Sequence, residues 1–177
     1  VASALLMEPR IANKIVVIWN GGAMYPDGGP EFNLVNDINA ANCLMSSQVE
    51  IWQIPTKVYA EPRVSLSELQ YKVEPCGEIG AYLFRQTLEF LDEMKEHPQW
   101  PLPESLDICD LTVIGLLMEE HRYCYTYEKA PFITPEMYYK PVLGNRPIRV
   151  YREINARYIL EDFFCKLAIN YRGKEEM

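Results

Sequence analysis

Lys14-Ile-Val-Val-Ile-Trp-Asn-Gly-Gly22, followed across a short loop by Pro30-Glu31-Phe32-Asn33, decides the fold of this chain. Ile15 to Trp19 is a short apolar run rich in β-branched residues, as expected of a parallel strand covered on both faces. The glycine pairs on either side of the loop let the backbone turn sharply or pass close to a ligand. In extended backbone, Glu31 and Asn33 project to the same side while Phe32 turns away. They then form a hydroxyl-reading fork of two carboxylate oxygens and one carboxamide, as a sugar site at the carboxyl end of a strand requires. The same residues also suit a loop in which Glu and Asn bond their own backbone.

Working outward, Asp37 is placed to cap a helix running to about Ser46, with Ile38, Ala41 and Met45 inward. Val49 to Ile54 reads as a second strand, stopped by Pro55. Ser65-Leu-Ser-Glu68 has the form of a capping box. A longer helix follows from about Glu78 to Lys95, where Ile79, Leu83, Thr87, Phe90 and Met94 recur at helical spacing. Residues 97–103 hold three prolines and read as a loop. Asp110 is placed to cap a helix to about Glu120. Residues 123–151 read as edge strands and loops broken by Pro131, Pro135, Pro141 and Pro147. A last amphipathic helix spans about Asn155 to Tyr171. The alternation predicts an α/β fold with a mostly parallel sheet flanked by helices, in a single domain over residues 1–177.

The net charge of −8 disfavours a phosphate-backbone binder, so no nucleic-acid partner is expected. No apolar run approaches the roughly 20 residues of a membrane span. Five cysteines form no Cys-x-x-Cys pair, and an odd number cannot all pair within the chain. Zinc ribbons and a disulfide framework are disfavoured, and a reducing, cytoplasmic setting is expected. His97 and His121 lack the spacing of a transition-metal site. Trp100 suits either stacking on a base or closing the core. Trp19-Asn20-Gly21-Gly22 lacks the Gly-x-Gly-x-x-Gly spacing of a dinucleotide fold.

Taken in order, Val1-Ala-Ser-Ala-Leu-Leu-Met-Glu-Pro9, the strand ending at Gly21-Gly22, Glu31-Phe32-Asn33, Asp37 to Ala41, Val49 to Lys57 and Cys109-Asp110-Leu-Thr-Val-Ile-Gly-Leu-Leu117 resemble the inosine–uridine-preferring nucleoside hydrolase family. The resemblance covers only the family's second half. It implies hydrolysis of the N-glycosidic bond of ribonucleosides by a calcium-bound water, activated by an N-terminal aspartate, through an oxocarbenium-like transition state. It also implies that Glu31 and Asn33 grip ribose hydroxyls and that Asp110 is a calcium ligand. One carboxylate supplies at most two of the 6–8 oxygens calcium takes, so the calcium site is incomplete in this chain. Many relatives place a base-protonating histidine where Cys109 stands. With no basic neighbour to activate its thiol, Cys109 is expected to line the site rather than react.

The family's aspartate-rich N-terminal motif does not occur, and residues 1–7 read as the middle of an apolar helix without an N-cap. The chain is therefore expected to be the C-terminal portion of a longer protein, inactive by itself. A homo-oligomer or a complementary N-terminal chain is the expected partner, because open strand edges associate. The competing expectation is a non-catalytic nucleoside-binding or structural relative that kept the fold.

Overall fold

The structure is a computed structural model that describes residues 1–173 except Pro98, Trp100, Pro101, Glu120 and His121. Its elements fall into two compact units, one built from residues 1–61 and 112–155, the other from residues 62–111 and the segment from Ala156 onward.

The first unit opens with helix α1 (Ala2–Met7) and strand β1 (Val16–Asn20), then α2 (Phe32–Val35), α3 (Ile38–Ser46), β2 (Glu50–Ile54) and α4 (Thr56–Tyr59). β1 and β2 pair in parallel, Val16 opposite Glu50 and Asn20 opposite Ile54. Their connection through α3 is the crossover that parallel neighbours require. Asp37 accepts a hydrogen bond from the Ala40 N–H at 2.8 Å and starts α3 as its sequence position predicts. Ala41 and Met45 on that helix are buried against Val49, Ile51, Ile148 and Val150.

The later segment carries α7 (Leu111–Glu119), whose first residue belongs to the second unit, and strands β5 (Tyr125–Lys129), β6 (Phe132–Ile133), β7 (Tyr139–Lys140) and β8 (Pro147–Tyr151). The four-stranded sheet runs β1-β2-β8-β5, with β2 and β8 parallel and β5 antiparallel to β8. This is the expected mostly parallel α/β sheet.

Two expectations about strands need correction. β8 lies inside the sheet rather than at an edge. Pro147 is tolerated because it is the strand's first residue, where a missing N–H breaks no interior ladder bond. β1 is an edge strand, as is β5 at the other end of the sheet. It is not covered on both faces, since Ile15 and Val16 are exposed. An apolar composition shows that a strand favours burial, but not which neighbours the chain itself supplies.

Side-chain bonds tie the late strands to α3. Asn42 exchanges two 2.8 Å hydrogen bonds with the backbone of Ile133. The Arg146 guanidinium donates to the Ser47 and Leu44 carbonyls, meeting the negative end of α3 with a cation.

The second unit comprises the antiparallel pair β3 (Arg63–Ser65) and β4 (Ser105–Asp107) with helices α5 (Leu66–Lys72), α6 (Gly77–Lys95) and α8 (Ala156–Tyr171). The Ser65–Glu68 capping box forms in both directions. Val64, Leu69, Val73, Phe84, Phe164 and Leu167 make the core. The inward face of α6 is Gly80, Phe84 and Leu91, rotated by about one residue from the Ile79–Leu83–Phe90 stripe. Gly80 explains the rotation. A β-carbon there would collide with the Val73 carbonyl, so the helix approaches its neighbour along the glycine and turns Ile79 and Phe90 to solvent.

Candidate functional site

Ligands of open α/β sheets gather at the carboxyl ends of parallel strands, and two of those ends here are Asn20 and Ile54. Beyond them the ladder continues into the loops. Gly21 N–H donates to the Ile54 carbonyl at 3.1 Å and Thr56 N–H to the Gly22 carbonyl at 3.0 Å. Gly22 has φ of +74°, and any side chain on it would strike the Tyr139 hydroxyl and the Gln53 carboxamide. Gln53 is fully buried and donates to the Gly21 carbonyl at 2.8 Å and to the Tyr139 oxygen at 3.0 Å. Burial pushes the Tyr139 phenol up to about 12. It therefore stays protonated and donates to the Ala23 carbonyl at 3.2 Å.

Glu31 closes the loop from the other side. One carboxylate oxygen accepts from Gly22 N–H at 2.7 Å and Leu34 N–H at 2.8 Å. The other accepts from Asn33 N–H at 2.9 Å and from the Tyr59 hydroxyl. An ionised carboxylate offers about four acceptor positions, so this one is filled. Glu31 itself is extended, but the chain turns helical at Phe32, and Glu31 serves as the N-cap of α2. The expected extended Glu31–Asn33 fork is therefore replaced by a helix start. Unpaired N–H groups at the first turn draw the carboxylate inward more strongly than strand alternation holds it outward.

Asn33 remains presented. It is exposed, its carboxamide nitrogen donates to the Asn20 carbonyl at 3.1 Å, and its Oδ1 accepts no bond from any described residue. Together with Val17, Trp19, Leu34, Asp37 and Leu44 it lines a cavity of about 310 Å³, a mostly apolar hollow with a few polar groups on its wall. Asn20 is braced in turn, its Oδ1 accepting from the buried Thr112 hydroxyl at 3.0 Å.

Cys109 and Asp110 belong to the second unit. Cys109 is half-buried and its thiol faces the Asp107 carbonyl at 3.8 Å. Asp110 precedes α7 and lines a separate hollow of about 590 Å³ with Phe90, Leu106, Ile108 and Phe163. Among the described residues no three His, Cys, Asp or Glu side chains gather into a metal cage. Asp110 alone does not fit the oxygen count of a calcium site. Trp100 lies outside the described residues.

Asn20, Gln53, Tyr59, Thr112 and Tyr139 were not picked out as site residues from the sequence. Asn20 could have been found as the last residue of a strand entering a glycine pair. The other four act across 28 to 116 residues of chain, and no local spacing announces them.

No protein-family model matches the sequence, and no curated protein does. Solved structures do match. The chain superposes on a plant nucleoside hydrolase with a TM-score of 0.71 at 14% identity, covering 94% of this chain and 57% of that one. An inosine–uridine preferring nucleoside hydrolase from Bacillus anthracis gives a TM-score of 0.68 at 18% identity over 94% of this chain and 56% of the other. A purine-preferring ribonucleoside hydrolase from Gardnerella vaginalis gives 0.72 at 14% identity, again over 94% and 56%. The chain thus spans little more than half the length of the proteins it matches, and over that span its fold is the nucleoside hydrolase fold.

Proposed function

We propose that this chain is the sugar-reading part of a hydrolase that splits the N-glycosidic bond of ribonucleosides into ribose and free base. One observation carries the reading. In a fold shared with nucleoside hydrolases, the Asn33 carboxamide stands at the carboxyl end of β1, held through Asn20 and lining a cavity of about 310 Å³. A carboxamide accepts from one sugar hydroxyl and donates to another, and a misfit sugar then leaves a polar group unpaired. Glu31, which the family resemblance implies is a direct sugar contact, serves in this reading mainly to fix Gly22 and Asn33. Cys109 and Asp110 are assigned to the chemistry of the longer protein, Asp110 as one ligand of a calcium site. There the remaining groups, including the rest of a calcium site, come from the part of the fold that this chain does not span. The open edge of β1 is where a complementary chain or a second copy pairs.

The filled carboxylate of Glu31 favours a second reading, a nucleoside-binding relative without catalysis. An assay of ribose release from inosine and uridine, with calcium present, separates the two. A longer chain with the complete fold is expected to turn over, and to lose roughly tenfold or more in kcat/KM on Asn33→Ala, the scale of a lost buried hydrogen bond. The 177-residue chain is expected to be inactive. Turnover by the longer chain that is indifferent to Asn33→Ala would remove the sugar role.

A further inference from the structure

Three of the four donors that fill Glu31 are backbone N–H groups, fixed by the turn at Gly22 and the start of α2. The fourth is a side-chain hydroxyl, that of Tyr59, delivered from the last residue of α4. Glu31 and Tyr59 are each only 7% exposed. A hydroxyl is also what a sugar would bring to this carboxylate. Tyr59 therefore occupies, from within the protein, the acceptor position on Glu31 that a ligand hydroxyl would otherwise take.

We propose that Tyr59 is a specificity-determining residue: its hydroxyl stands in for a ligand hydroxyl, keeps Glu31 out of sugar recognition and leaves that recognition to Asn33. The inference rests on the sugar-binding reading above and names the device that tunes it. Its consequence concerns which pentoses are told apart. A site that bonds a particular hydroxyl rejects the sugar lacking it, because the buried partner is stranded. When the partner is already satisfied by Tyr59, the sugar lacking the facing hydroxyl loses nothing. The wild-type chain then accepts one more class of deoxy sugar than a site with an open carboxylate would.

The experiment is an NMR titration of the ¹⁵N-labelled 177-residue chain with ribose and with 2-, 3- and 5-deoxyribose. It compares wild type, Tyr59→Ala, Tyr59→Leu and Asn33→Ala. Tyr59→Ala removes both plug and hydroxyl. Tyr59→Leu removes the hydroxyl and keeps most of the apolar packing, so it carries the test if the alanine variant does not fold. In at least one of these variants, one deoxyribose is expected to fall about tenfold or more behind ribose relative to wild type, the scale expected when a buried group loses its partner. Unchanged ratios in the folded Tyr59 variants, with ribose binding still sensitive to Asn33→Ala, would overturn the role of Tyr59 and leave the sugar reading standing. Ribose binding absent from every form, or indifferent to Asn33→Ala, would overturn both.

Discussion

Replacing Glu31 by Gln keeps the size of the side chain and takes away its charge and one acceptor. The cost follows from the four hydrogen bonds it accepts. If the new NH₂ faces Gly22 and Leu34, two backbone donors at 2.7 and 2.8 Å lose their acceptor. If it faces Asn33 and Tyr59 instead, the tyrosine hydroxyl can turn and accept, so only the Asn33 N–H is stranded. The second arrangement is the cheaper one. It still costs one charge-assisted bond outright and weakens the others, about 2–4 kcal/mol in all. That is a large share of the roughly 5–15 kcal/mol that holds a domain folded. With a urea dependence of about 2 kcal/mol per M, the unfolding midpoint should fall by about 1–2 M. Fluorescence of Trp19 and Trp52, both in the unit that contains Glu31, reports the transition. In Glu31→Ala all four donors lose their acceptor, and the shift should be larger. A midpoint within about 0.3 M of wild type for both variants would show that the carboxylate does not latch the loop, since each lost bond is worth at least about 1 kcal/mol.

Ser65→Ala should cost about 1 kcal/mol in the second unit, because the capping box loses the bond to Glu68 N–H; chemical denaturation followed by far-ultraviolet dichroism measures it. Burial, with the Glu153 charge adding to it, raises the Glu61 carboxyl from its ordinary value. Such a group favours folding when protonated and costs stability as pH rises through its folded pKa. Glu61→Gln should therefore raise the stability at pH 7 by roughly a few tenths of a kcal/mol, discounted for the solvent around an exposed group, and give no gain below the carboxylate range. Calorimetry of the 177-residue chain with calcium should show only feeble binding, because among the described residues no three potential ligand side chains gather around Asp110; tight binding would contradict that arrangement.

What was legible in the sequence was what local chemistry decides. The Asp37 cap, the Ser65–Glu68 box and the end of α8 at Tyr171 follow from residues within a few positions of one another, and the structure has them where they were read. Order along the chain was legible as well. Strands alternating with helices gave an α/β reading, and the sequence of short motifs pointed to the nucleoside hydrolases. Facing was harder. The buried face of α6 lies one residue from its apolar stripe because a glycine, which carries no hydropathic signal, sets the line of closest approach. β8 looked like an edge because prolines cluster around it, yet only Pro147 enters the strand, at its first residue. The site was the least legible part. Tyr59 reaches Glu31 across 28 residues, Tyr139 reaches Ala23 across 116 and Thr112 reaches Asn20 across 92. Those pairings are products of the fold.

The Glu31 latch also bears on what this end of the sheet is for. Gly22 is held from one side by the Glu31 carboxylate and crowded on the other by Gln53 and Tyr139. Asn33 is held through its own N–H by Glu31 and through its carboxamide by Asn20, which Thr112 braces. A loop that served only as a connection would need far fewer buried polar bonds, since connecting segments satisfy their backbone in water. Ordering these groups before a ligand arrives lowers the entropy cost of binding, and it does so whether or not chemistry follows. Hydrolase and binding-module readings therefore agree about Asn33. They part over groups that act on the glycosidic bond, and neither Asn33 nor the filled Glu31 carboxylate is suited to that work. Stiffness here argues for a ligand.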